Sequence, residues 1–153
     1  MSRPLTAGER ALARSIYGDA IDLDAVEIRR RRWFPLQPRE VAMAPMGHIH
    51  FHPAGRLWRE DFSREGLALQ GLFLHEMAHV WQAQRGGRWF LPLIRHPFCR
   101  YRYELVPGRP FASYGVEQQA EIVRHAFLLR NGVTVADKPP LAAYEAVLPF
   151  RTS

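Results

Sequence analysis

The 153-residue sequence has one cysteine, Cys99, so an internal disulfide is excluded. That usage fits a reducing compartment. It also has one lysine, Lys138, among 21 basic residues, so its positive charge is carried almost entirely by arginine. Long apolar runs are missing as well. The best candidate, residues 67–74, stops at His75 and Glu76, far short of the roughly 20 residues that cross a bilayer. Charge interrupts the first residues before a signal-peptide core can form. No membrane association and a cytoplasmic location are expected, unless a dedicated secretion system exports the chain. Internal repeats, low-complexity tracts and linker-like stretches are also lacking, which predicts a single domain over residues 1–153.

What is present is an ordinary globular composition, 47% apolar and 24% charged. A chain of this length buries roughly two thirds of the surface its unfolded form exposes, enough for a core without disulfides. The net charge of +6 could attract nucleic acid. No nucleic-acid recognition motif accompanies it, and an arginine bias arises as readily from codon usage, so nucleic acid is not an expected partner.

Several elements can be placed from spacing. Thr6 and Glu9 have the separation of a capping box, and apolar residues then recur at helical intervals until Gly18. Val26 to Arg29 alternate as a half-buried strand, and residues 47–53 give a second alternating stretch. From about Ser63 to Arg85 there are few breakers after Gly66, and Gly86-Gly87 marks a stop; apolar residues on nearly every side predict a helix through the core. Tyr101, Tyr103 and Leu105 alternate in a short strand or extended segment before Pro107-Gly108. A second long helix follows Ser113 and ends at Asn131-Gly132, and Pro140 opens a final helix from about Leu141 to Val147.

The core helix contains His75-Glu76-Met77-Ala78-His79. Four residues make slightly more than one turn, so both imidazoles project from one face and can share a zinc ion. Glu76, beside the first of them, stands where a carboxylate can take a proton from a metal-activated water. Three polar residues in so apolar a helix need pairing or a metal. A catalytic zinc generally has a third protein ligand. Glu117 and Glu121, one turn apart on the later helix with small Ala120 between them, are the best candidates: Glu117 for the metal, Glu121 to accept the free ring N–H of a ligating histidine.

The pairing of His75-Glu76-x-x-His79 with Glu117-x-x-Ala120-Glu121 resembles the gluzincin zinc metallopeptidases, in which a glutamate on a downstream helix is the third ligand and an acidic residue one turn later supports a histidine. More closely, residues 75–82 and 114–123 look like small bacterial Vgr-related or Rhs-associated proteins with a gluzincin-like core, a similarity spanning most of the chain. The resemblance implies a neighbourhood in type VI secretion. The sequence departs from many gluzincins at Val116, Ala120 and Glu121, where Asn, Ser and Asp are usual. Gluzincins also use a Tyr or His to stabilise the oxyanion; Tyr114, Tyr103 and His125 are candidates, with Tyr114 preferred for its place just before the Glu117 helix.

His48, His50 and His52 alternate, which would set all three on one side of a strand, where they could form a metal site of their own or stand as exposed histidines; the zincin resemblance implies cleft-wall or second-site groups. Cys99 lies near His96 without a partner of useful spacing, and residues 88–91, after the glycine pair, could form a flap over the cleft. The expected fold is α+β: a minimal gluzincin-like domain with a small, mainly antiparallel sheet packed on the His75–His79 helix and the Glu117 helix closing the zinc site. The expected function is a zinc-dependent peptidase acting on a peptide or protein substrate. The alternative is a non-catalytic, zinc-stabilised peptide-binding or accessory protein partnered with a secretion-system component.

Overall fold

Thr6 and Glu9 cap the first helix reciprocally in the computed structural model, which describes residues 1–87, 91 and 101–152. Glu9 N donates to Thr6 Oγ1 at 3.0 Å, and Thr6 N donates to Glu9 Oε1 at 2.9 Å. The same Glu9 carboxylate, fully buried, accepts both Arg3 Nη atoms and the Phe62 amide. One side chain therefore starts helix α1 (Ala7–Tyr17) and ties it to strand β1 (Ser2–Pro4) and to a short 3-10 turn at Phe62–Arg64. At the other end of α1, Gly18 has φ +57°, and a Cβ there would stand 2.0 Å from Arg151 O, so the returning C-terminal segment requires glycine.

Among the described residues the architecture is mixed α+β, with three short strands and four α-helices. The sheet order is β1, β2 (Glu27–Arg29), β3 (Ile49–His50). Pro4 is tolerated because β1 is an edge strand. The sheet expected to be mainly antiparallel is mixed: β1 and β2 run antiparallel, with Arg3 opposite Ile28, and Met43 bridges His50 in the same sense, whereas β2 and β3 run parallel, with Ile28 opposite Ile49. The expected 47–53 strand also shrinks to two residues. His48 Nδ1 accepts Glu27 N at 3.1 Å and His52 Nδ1 accepts Ala54 N at 2.9 Å, so side chains take donors that a longer ladder would use.

Helix α2 (Leu67–Gly86) is the core helix, buried almost continuously from Phe73 to Ala83. It begins later than the pattern suggested, because Asp61 caps the 3-10 turn and Gly66 then takes an extended conformation. The rings of Phe51, Phe62 and Phe73 stack in series at 5.4 and 5.9 Å, joining the end of β3 to α2. Tyr17 Oη donates to Leu74 O at 2.6 Å, fastening α1 to the same helix.

Among the described residues, helix α3 (Val116–Arg130) makes the most extensive interface with α2. Gly71 lies against Arg124 and Leu128, and Ala120 is fully buried, so small residues let the helices approach closely. Helix α4 (Leu141–Val147) packs on α3. Residues 101–105 join no ladder; Gln118 Nε2 and Lys138 Nζ instead satisfy the carbonyls of Arg102 and Tyr103. Cys99, His96 and the 88–90 part of the expected flap lie outside the described residues, while Leu91 is buried.

Candidate metal centre

Helical geometry sets His75 and His79 on one face of α2, with ring centroids 5.1 Å apart and planes inclined by 77°. Close packing of α3 brings Glu117 onto that face. His79 Nε2 pairs directly with Glu117 Oε1, and both side chains are almost fully buried. One ligand atom from each of His75, His79 and Glu117 lies within 4.8 Å of the others. Two imidazoles and a carboxylate so placed are a donor set that fits a zinc ion.

Burial alone would lower the His79 pKa, but the Glu117 carboxylate, assisted by Glu76 and Gln82, outweighs it and holds the ring above its ordinary value. Gln82, which the motif analysis did not single out, completes the arrangement. His79 Nδ1 lies 2.8 Å from Gln82 Oε1, while Gln82 Nε2 donates to Val116 O at 3.0 Å and to Gln119 Oε1 at 2.9 Å. Gln119 Nε2 in turn donates to Tyr114 O at 2.8 Å. Because the amide nitrogen of Gln82 already faces two acceptors, its oxygen must face His79, so His79 carries a proton on Nδ1. In the neutral ring, Nε2 then presents its lone pair toward Glu117. The position of Gln82, three residues after His79 on a helix, is the signal that could have revealed it.

Glu121 stands beside the other histidine, with Oε2 3.8 Å from His75 Nδ1 and also 3.8 Å from His125 Nε2. Burial opposes its ionisation, yet His75, Arg124 and His125 together hold its pKa below the ordinary value. Behind it, Tyr103 Oη contacts His125 Nδ1 and lies 2.6 Å from Tyr144 Oη.

Glu76 lines the same cleft, whose volume is about 180 Å³. Ala42 and Leu72 contribute apolar wall, and Tyr101 and Arg124 also face it. Tyr101, 48% exposed, stacks nearly parallel to His75 with centroids 6.3 Å apart.

Tyr114, preferred from sequence for the oxyanion, is not among the residues lining this cleft. It is buried, its hydroxyl accepts Val106 N at 3.0 Å, and Arg109 covers its ring at 4.2 Å. Its position at the start of α3 turns the side chain toward the preceding loop. Tyr103 and His125 are likewise outside the cleft lining. The three strand histidines do not converge either: His48 and His52 accept separate backbone amides, and His50 is buried with Nδ1 3.3 Å from Arg31 O.

No family model matches the sequence. Over 135 residues it is 41% identical to the type VI secretion system spike protein VgrG2b of Pseudomonas aeruginosa, a match covering 84% of this chain and 13% of the spike protein. The solved effector domain of P. aeruginosa VgrG2b superposes with a TM-score of 0.73 at 40% identity, covering 84% of this chain and 75% of that one. The chain belongs to the VgrG2b effector-domain family. The expected kinship with Vgr-related proteins therefore holds, and the fold of the VgrG2b effector domain is the frame that carries the histidine and glutamate cluster. Neither relative's name mentions zinc or a gluzincin peptidase.

Proposed function

We propose that this chain is a type VI secretion effector domain that hydrolyses peptide bonds, using a zinc ion held by His75, His79 and Glu117. The observation supporting it is the buried meeting of those three side chains, with Glu76 on the wall of the same cleft. Their donor chemistry fits zinc and leaves a coordination position for substrate or water. When bound, zinc supplies Lewis-acid polarisation of the scissile carbonyl and acidifies water.

The protein's own groups do the rest. Gln82 holds the His79 ring in one tautomer, so that imidazole does not have to reorient during turnover, while Glu121 lies beside His75 at 3.8 Å and contributes its charge. Glu76 takes a proton from the attacking water and returns it to the leaving amine nitrogen. Ala42 and Leu72 exclude bulk water, and Tyr101, at the cleft, takes the oxyanion role that Tyr114 is not placed to fill.

The secretion part of the proposal draws on the relatives. They are named as an effector domain and as a spike protein, and this chain corresponds to 13% of that spike's length. Export by such a machine, with a component of it as partner, follows by kinship. The second reading, a zinc-stabilised protein that docks a peptide without cutting it, is favoured by the small cleft and by relatives whose names speak of delivery and not of hydrolysis.

The test is cleavage of a peptide library by zinc-loaded wild type and Glu76→Gln, with zinc per chain measured for both and for Glu117→Ala. Cleavage by wild type, abolished in Glu76→Gln with zinc retained, is the expected result; Glu117→Ala should lose zinc. Peptides that bind wild type uncut would replace the peptidase with the docking protein. Absence of zinc after reconstitution would overturn both.

A further inference from the structure

A second cleft, of about 830 Å³, lies where β2 and β3 meet the C-terminal end of α2. Among the described residues it shares no lining with the metal centre. Arg29, Arg31, Arg32, His48 and His50 line it, together with the side of Trp33. No carboxylate is among its described lining residues. Arg29 is only 24% exposed and has Glu27 Oε1 at 3.6 Å. Among the described residues no ion pair holds Arg31 or Arg32, and both are exposed. Three guanidinium groups thus share one concavity whose described lining holds no carboxylate.

We propose that this cleft binds a soluble, multiply charged phosphate ester. Guanidinium forks match the spread oxygens of phosphate, and a half-buried arginine acts through a lower dielectric than an exposed one. The volume exceeds what a bare phosphate needs and falls within the range of small-molecule sites. Trp33 supplies wall for the organic part: its indole N–H is turned to Met46 Sδ at 3.2 Å, leaving the ring as apolar surface. The helix terminus opposes binding, since the carbonyl end of α2 carries roughly half a negative charge, but three full positive charges outweigh it. A flat membrane or a duplex would touch the exposed Arg31 and Arg32 but would not enter a concavity of this size to meet the half-buried Arg29. The site is independent of the peptidase proposal, because none of its residues belongs to the metal centre.

The experiment is calorimetric titration of the zinc-loaded full chain with adenosine diphosphate at constant ionic strength. Wild type is compared with Arg29→Gln/Arg31→Gln/Arg32→Gln and with Arg14→Gln/Arg39→Gln/Arg64→Gln, which loses the same charge at exposed positions elsewhere. One site per chain is expected, weakened about tenfold or more by the first triple and about twofold or less by the second. The double variant Arg31→Gln/Arg32→Gln changes only exposed side chains and decides the matter if the triple fails to fold; it too should weaken binding severalfold. Equal weakening by both triples would reduce the effect to diffuse attraction, and absence of saturable binding in wild type would remove the site. Duplex DNA binding that both triples lose alike would count against the proposal in the same way.

Discussion

Replacing Gln82 separates its two duties. In Gln82→Met the chain length is kept while the acceptor for His79 Nδ1 and the donor to Val116 O and Gln119 Oε1 both disappear. The His79 ring can then turn or change tautomer, and partners that hold a ligating histidine are worth about 10- to 100-fold in metal affinity, roughly 1.4 to 2.7 kcal/mol. Loss of the two hydrogen bonds that the amide nitrogen donates should lower stability by about 1 to 3 kcal/mol independently of metal. Gln82→Glu divides these effects: its carboxylate still accepts from His79 Nδ1, so zinc affinity should hold or rise, but it cannot donate to Val116 O or Gln119 Oε1, so the metal-free protein should be destabilised. Zinc affinity is read by competition with a chromophoric chelator, and metal-free stability by urea unfolding. A folded Gln82→Met protein binding zinc within about twofold of wild type would refute the argument that this amide sets the tautomer of His79.

Glu9→Ala strands a half-buried guanidinium and two amides, at Thr6 and Phe62, and should cost about 3 to 5 kcal/mol in urea unfolding; less than about 1 kcal/mol would show that the carboxylate is not the hub its contacts describe. His50 titrates near 4 in the folded protein, chiefly because of burial, with the charges of Arg29, His48 and Arg31 adding to it. The unfolded chain takes up that proton near pH 6.5, so stability falls as pH drops below 6.5 and the loss is complete below about 4. At pH 5 this amounts to about 2 kcal/mol, which His50→Gln should abolish; parallel pH profiles for wild type and variant would contradict it. Gly18→Ala combines a positive φ with a clash against Arg151 O and should lower the melting temperature, with a change within experimental error as the opposing result.

The placement of Gln82 bears on the function as well as on the fold. A buried amide chain running from His79 through Gln82 and Gln119 to Tyr114 O joins one histidine of the centre to the start of α3. Tyr114 anchors that chain through its backbone carbonyl, while its hydroxyl accepts Val106 N. The relatives are named as a type VI secretion system spike protein and as its effector domain, while the chemistry proposed for the cleft draws on these contacts alone.

Local order was legible in the residues themselves. The α1 cap could be read from Thr6 and Glu9, the limits of α3 and α4 from Ser113, Asn131-Gly132 and Pro140, and the common face of His75 and His79 from the helical period, because each depends on neighbours a few residues away. The tertiary structure alone decided what depends on distant segments. It set β3 parallel to β2, though alternation carries no direction; it let His48 and His52 cut the second strand short by taking backbone donors. It turned Tyr114 away from the cleft and brought Tyr101 to it, since a tyrosine's reach is fixed by what packs around its ring. Above all it seated Glu117 against His79, across 38 residues of chain, through an α2–α3 contact that Gly71 and Ala120 keep close. The helical period determines which residues share a face, but only the packing of two helices determines which faces meet.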